Sequence, residues 1–270
     1  PYTEHGLLAT NGTSILLGSP RRDALTFLRL DPTGWTTIEA RELGPWREHG
    51  RSEIHALAAS AVGEVVVVTS REQDPVTGDV LSETNAVWAR SDPAEPFVEQ
   101  FLGSDDVAAT EAALYAVQPG NERLLASSDA DTWAEASVSG LPDGLFIDDL
   151  WAGDGAVWLV GYDGFEPVVR RADATGPAAT LSFLPVPADL SDFTELRGHC
   201  GGDGRFATVG VSYEYDGDAI VLAGDGGGLT QHRLQPPPGT TYPRANACAV
   251  GDGTIVVAGT VEEAVPSHGV

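Results

Sequence analysis

The side chains with the clearest chemical potential are aromatic rings next to acids. Tyr162, Asp163 and Phe165 fall within four residues of one another, and Tyr213, Tyr215 and Asp216 repeat the arrangement about fifty residues later. Trp46 and Tyr242 add two further rings, and Arg71 adds a cation in a polar stretch. Rings can stack on the apolar face of a sugar while carboxylates and guanidinium groups bond its hydroxyls. The same residue types suit a protein interface, where Tyr and Trp are enriched. A glycosidase could be assembled from an arginine cluster (Arg21, Arg22, Arg47, Arg51, Arg71, Arg244), a nucleophile and an acid.

Metal, phosphate and nucleophile chemistry find less support. Asp216-Gly217-Asp218 and Asp129-Ala130-Asp131 match fragments of calcium loops without the distal Glu, so turn stabilisation is the reading for both. His5, His49, His55, His199, His232 and His268 show no pairing at ligand spacing, and His55 and His199 are expected in inner strands, packed or lining a channel. No Gly-rich loop opens a helix and no serine elbow is present. We expect no catalytic residues, no metal and no cofactor.

What positions the rings is a repeat. Leu150-Trp151-Ala152 enters the turn Gly153-Asp154-Gly155, and Ala156-Val157-Trp158-Leu159-Val160 leaves it. Turn residues that tolerate positive φ between two apolar runs read as a β-hairpin. Gly202-Asp203-Gly204 and Gly251-Asp252-Gly253 repeat it at a spacing of 49 residues, and weaker copies fall at Asn11-Gly12, at Gly63 and over Val107–Val117. Short strands recurring every 45–50 residues or so predict a β-propeller, one blade per repeat. The expectation is one all-β domain over 1–270, with about six blades of four antiparallel strands at about 6–40, 54–102, 107–137, 146–184, 196–234 and 245–270. The outer strands are read as Trp133–Ser137 in the third blade and Ala179–Leu184 in the fourth, and the last blade is incomplete. The missing strands, and an opening on Pro1, suggest a processed or partial polypeptide, or a blade completed by another chain.

Strand order then sorts the loops. Turns between first and second and between third and fourth strands share one face. The others, including every ring-and-acid segment above, share the opposite face, where scaffolded folds concentrate function.

The turns between third and fourth strands carry a family resemblance. Ser127-Ser128-Asp129-Ala130-Asp131-Thr132-Trp133 resembles the Asp-box, or BNR, repeat of sialidase-like propellers, with the pattern Ser-x-Asp-x-Gly-x-Thr-Trp. It is one residue short and lacks the Gly. Asp92 to Phe97 and Asp31 to Trp35 occupy the same place in earlier repeats, and Asp173 and Asp225 in later ones. The resemblance implies a structural Asp that bonds its own turn, opposite any active face. The Arg-Ile-Pro signature of sialidases is absent, which sets the hydrolase reading below the other two.

Charge bounds the partners. The net charge is −25 and all fifteen basic residues are Arg, so nucleic acid and anionic lipid are excluded as partners. No apolar run is long enough for a membrane-spanning helix. Cys200 and Cys248 stand three and four residues before Asp203 and Asp252. That one-residue offset turns the two thiols toward each other from successive sheets. A disulfide would imply an oxidising compartment; two buried free thiols are the alternative. The leading function is therefore a non-catalytic, extracellular or cell-surface propeller that binds a glycan through Trp46, Arg71, Tyr162, Asp163, Phe165, Tyr213, Tyr215, Asp216 and Tyr242. The alternatives are a structural or protein-interaction module in a larger secreted assembly and, third, a sialidase-like hydrolase.

Overall fold

The computed structural model describes residues 7–10, 15–21, 24–31, 33–39, 50–118, 123–174, 180–188, 194–202, 204–212, 218–225, 227–235, 238 and 240–263. No helix occurs among them. The first three sheets are β1 (Leu7–Thr10) to β4 (Gly34–Glu39) with β2 (Ile15–Arg21) and β3 (Ala24–Asp31) between; β5 (Gly50–Ala59), β6 (Glu64–Gln73), β7 (Val80–Arg90) and β8 (Val98–Leu102); and β9 (Asp106–Ala109), β10 (Leu114–Gln118), β11 (Arg123–Ser127) and β12 (Ala134–Glu135). After β13 (Ser137–Ser139) come β14 (Leu145–Gly153), β15 (Ala156–Asp163) and β16 (Glu166–Asp173), then β17 (Thr180–Ser182) and β18 (Leu184–Pro185). The chain continues with β19 (Thr194–Gly202), β20 (Arg205–Ser212), β21 (Asp218–Asp225) and β22 (Gly228–Arg233), and with β23 (Thr240–Gly251) and β24 (Thr254–Glu263). Among the described residues five sheets have four strands, β13 and β17 form a parallel pair, and β23 and β24 form the last, two-stranded sheet.

The hairpin turns explain the repeat. Asp154 and Gly155 have φ of 50° and 69°, and Asp252 and Gly253 have 48° and 69°. Two successive positive φ angles define a turn whose twist matches the flanking strands, and Asp and Gly tolerate them best. The run that leaves each turn is the second strand of its sheet. In β6, β10, β15 and β20 that strand is buried along most of its length, which is why it reads as unbroken Val, Leu and Ala.

Contacts divide the chain into two compact units. The first comprises Pro1–Ser139, Gly155–Val157 and Asp173–Ser182. Its described core gathers Val65, Val67, Val87, Ala89, Val107, Leu114 and Ala130, with Phe101 and Trp133 against it. Phe101 meets Trp133 edge to face at 5.4 Å. One buried ion pair interrupts this apolar packing: Arg90 Nε donates to Glu64 Oε2 at 2.7 Å, with the two residues opposite each other on β7 and β6.

In the same unit the Asp129 turn is held from within. Asp129 Oδ1 accepts from the Thr132 N–H at 2.7 Å, the Asp131 N–H at 3.0 Å and the Ser127 hydroxyl at 3.1 Å. Ala130 takes φ 65°, a backbone usually given to glycine, and buries its methyl completely. The Thr132 N–H, then the Asp131 N–H, hold the Asp129 carboxyl below the usual carboxylate range. A depressed folded pKa adds stability above about pH 3.9 and loses it as pH falls through the folded value. Asp129→Ala should therefore lower the melting temperature at pH 7. The gap from wild type should close below about pH 4, and a gap that persists in acid would refute this account. Asp92 and Asp225 each bond one amide of their own turns, accepting from Ala94 N and Gly227 N at 2.8 Å each.

The second unit comprises Gly140–Asp154, Trp158–Ala172 and Phe183–Val270. Cys200 on β19 and Cys248 on β23 are joined by a disulfide with Cα atoms 5.6 Å apart. Around it pack Ala207, Val209, Ala219, Val221 and Ala245, with Ile255 and Val257 partly buried. Turns of successive sheets are also linked: Gly204 N–H donates to Asp154 Oδ2 at 3.1 Å, and Arg205 Nη1 donates to the Gly253 carbonyl at 2.9 Å.

Two outer strands differ from the sequence expectation. Trp133–Ser137 is not one strand: only Ala134–Glu135 pairs with β11, and Ser137–Ser139 instead runs parallel to Thr180–Ser182. Ala179–Leu184 is broken in the same way, leaving Leu184–Pro185 to pair with β16. The cause is non-local pairing between two three-residue segments, Ser-Val-Ser and Thr-Leu-Ser, whose central apolar residue faces inward whichever neighbour the strand chooses. His55 is exposed on β5, the first strand of its sheet, and the side chain of His199 is buried on β19, the first strand of another.

Candidate functional site

In the second unit the hairpin between β15 and β16 ends in a two-residue turn, Gly164-Phe165. Gly164 has φ 65° and supplies the left-handed residue of the turn. Phe165 is thereby lifted clear of the sheet and is 91% exposed. Exposed carboxylates flank it, Asp163 before and Glu166 after. Tyr162 is half-buried and engaged. The start of β14 runs beside the end of β15, so close that a Cβ on Gly161 would meet the Phe146 carbonyl at 2.2 Å. Phe146 itself is 61% exposed. Sequence reading missed Phe146 because it lies within the apolar run Leu145-Phe146-Ile147 and reads as a core residue. Its position at the very start of a first strand was the available signal.

Arg71 belongs to the first unit, on the hairpin between β6 and β7. Its Nη1 lies 2.7 Å from Glu53 Oε1, and its Nε donates to Glu83 Oε2. The Glu83 bond is the main reason the guanidinium holds its proton more firmly than usual. The cation is thus shared between two carboxylates of neighbouring strands. At the tip of that hairpin Asp74 Oδ1 accepts from Val76 N and Thr77 N at 2.7 and 3.0 Å, which presents Val76 to solvent.

Trp46, Tyr213, Tyr215 and Asp216 lie outside the described residues, as does the side chain of Tyr242, whose backbone runs in β23. The described part of the expected ligand set is therefore Tyr162, Asp163 and Phe165 on one hairpin and Arg71 on another.

A second cluster was not singled out by sequence. Trp158 stacks on Phe206 at 4.4 Å and 7°, and Phe206 lies parallel to His199 at 6.0 Å and 9°. The Arg171 guanidinium lies 5.7 Å from the far side of the column, over Trp158. At the other end His199 Nε2 is 2.6 Å from Asp149 Oδ2, off the hydrogen-bonding direction. Thr208 sits opposite His199 in the β19–β20 register, yet neither its hydroxyl nor His199 Nδ1 has a hydrogen-bond partner among the described residues. The three rings pack against one another as a column. Among the described residues no three His, Cys, Asp or Glu side chains gather as metal ligands.

Meandering four-stranded sheets in series find their match among solved structures. A chain of a nidogen/laminin complex aligns with a TM-score of 0.55 and 10% identity, over 91% of this chain and 85% of that one. A protein of unknown function from Dyadobacter fermentans gives 0.54 and 11%, over 96% and 91%. YCF48 bound to a D1 peptide gives 0.50 and 9%, over 100% and 95%. The fold is a β-propeller. No family model matches the propeller sequence, and no curated protein matches it.

Proposed function

We propose that this propeller is a non-catalytic binding module that grips a protein or peptide partner through the rim formed by Phe165 and Phe146. The carrying observation is an exposed ring at the tip of a two-residue turn, with a second exposed ring on the adjoining strand. Nothing in folding requires a Phe at that tip, and rings held on rigid hairpins make effective anchors because little freedom is lost on binding. Two propellers of the same fold were solved with a protein and a peptide, which supports this class of partner. The Cys200–Cys248 disulfide supports an oxidising compartment, outside the cell or at its surface. The self-bonded Asp129 turn supports an Asp-box lineage.

A neutral carbohydrate is the second reading, favoured by Asp163 and Glu166, which could accept from hydroxyls on either side of a ring stacked on Phe165. An acidic sugar is disfavoured because Arg71 is already shared between Glu53 and Glu83.

A peptide-display selection on the immobilised chain, run beside a glycan array, tests both readings. Phe165→Ala and Phe146→Ala should each weaken a selected peptide about tenfold or more, as for an interface anchor, and leave the melting temperature unchanged. Peptides indifferent to both changes would refute the proposed rim. Glycan binding lost in Phe165→Ala, with no peptide selected, would establish the carbohydrate reading instead.

A further inference from the structure

We infer that two copies of this chain pair edge to edge through β24, making one continuous four-stranded sheet across a two-fold axis. The starting observation is a strand in the wrong environment. In the four-stranded sheets whose side chains are described, the second strand is largely buried and flanked on both sides. β24 has the same kind of sequence, Thr-Ile-Val-Val-Ala-Gly-Thr-Val, but pairs only with β23 among the described residues. Val256 is 62% exposed, Val261 is exposed, and Ile255 and Val257 are only partly buried.

Over its first eight residues, before Glu262 and Glu263, this edge lacks the devices that keep edges single. Exposed edges are ordinarily blunted by charge, proline, shortness or a bulge on the edge strand. From Thr254 to Val261 β24 has no charged residue and no proline, within a chain of net charge −25. It spans ten residues. The register irregularities of this sheet put their extra residues on β23, between Thr241 and Arg244 and between Ala245 and Ala247, so β24 stays regular.

A second copy is the occupant that fits this edge. Two two-stranded sheets joined in this way give four strands, the number in each of the five antiparallel sheets that precede this one. A two-fold axis normal to an antiparallel sheet sets residues of the same face opposite each other, so the register centres on a residue. Centred on Ala258, it sets Ile255 of one copy opposite Val261 of the other, Val256 opposite Thr260, and Thr254 opposite Glu262. No like charges are opposed, which cross-strand pairing requires. Ala258 meets only its own counterpart.

That self-opposition supplies the test. Sedimentation or light scattering at micromolar concentration should give a dimer for the 270-residue chain, tighter in added salt, which screens the repulsion between two acidic copies. Ala258→Asp and Ala258→Lys each put like charges at the centre and should weaken the dimer about tenfold or more. Mixing the two variants should restore it, since aspartate then faces lysine. Unchanged melting curves would show that both variants fold, as the exposure of Ala258 leads one to expect. A monomeric wild-type chain would overturn the inference, and some other segment would then cover β24. A dimer indifferent to both substitutions would overturn it as well, by placing the contact elsewhere.

Discussion

Arg90→Met should lower the unfolding free energy by about 3–5 kcal/mol, the usual cost of stranding one member of a buried ion pair. Glu64 is 1% exposed and Arg90 4%. The pair lies on the first residue of β6 and the last of β7, which oppose each other in register. Arg90 is held in two further ways: Nη1 donates to the Glu95 carbonyl at 3.0 Å, and the guanidinium carbon lies 4.2 Å from the centre of the Phe97 ring. Next to Glu64, a Cβ on Gly63 would meet the Arg90 carbonyl at 2.5 Å, so the turn cannot swing away to let water reach a stranded carboxylate. Methionine fills the aliphatic volume but leaves Glu64 buried without its cation. The double variant Glu64→Leu with Arg90→Met removes both charges and should recover most of the loss. Urea unfolding followed by tryptophan fluorescence measures all three. A single variant within about 1 kcal/mol of wild type would mean that Glu64 finds another partner or simply neutralises.

The ion pair also marks where sequence stops being informative. The hairpins were legible because their cause is local: Gly-Asp-Gly fixes two positive φ angles, and the apolar run after it has to be buried. Glu64 opens such a run and reads as the last polar residue of a turn. Only the β6–β7 register brings Arg90, 26 residues further along the chain, opposite it. The parallel pairing of Ser137–Ser139 with Thr180–Ser182 was illegible for the same reason, since a three-residue strand has no pattern that names a distant neighbour. Arg71 reads in sequence as a cation available to a ligand. It is shared by Glu53 and Glu83, because charges that strands place side by side pair with each other first. The opposite error hid Phe146, whose apolar type suggests the core and whose strand-end position exposes it. Type and spacing found the scaffold. What each scaffold position faces depends on its neighbours across the sheet.

Removing the Cys200–Cys248 disulfide should cost about 4 kcal/mol, the loop-closure value for a crosslink across about 50 residues. The separation is 48 residues and encloses β20, β21 and β22, so the bond removes much freedom from the unfolded chain. The loss should not fall evenly across the molecule. Cys200 lies opposite Ala207 in the β19–β20 register, within a sheet supported by four strands. Cys248 lies opposite Val257, in a sheet of only two. A two-stranded sheet is marginal on its own, and the exposed valines of β24 show how little buried contact it has. The disulfide is the covalent tie between this sheet and the fifth. Cys200→Ala with Cys248→Ala should therefore speed amide exchange in β23 and β24 first, while β6 and β10 in the first unit keep their protection. Reduction of the wild-type chain should give the same pattern. Uniform acceleration along the chain would place the effect in the unfolded state alone. No acceleration in β23 and β24 would mean that Ile255 and Val257, packed beside the bond, already hold the sheet without it.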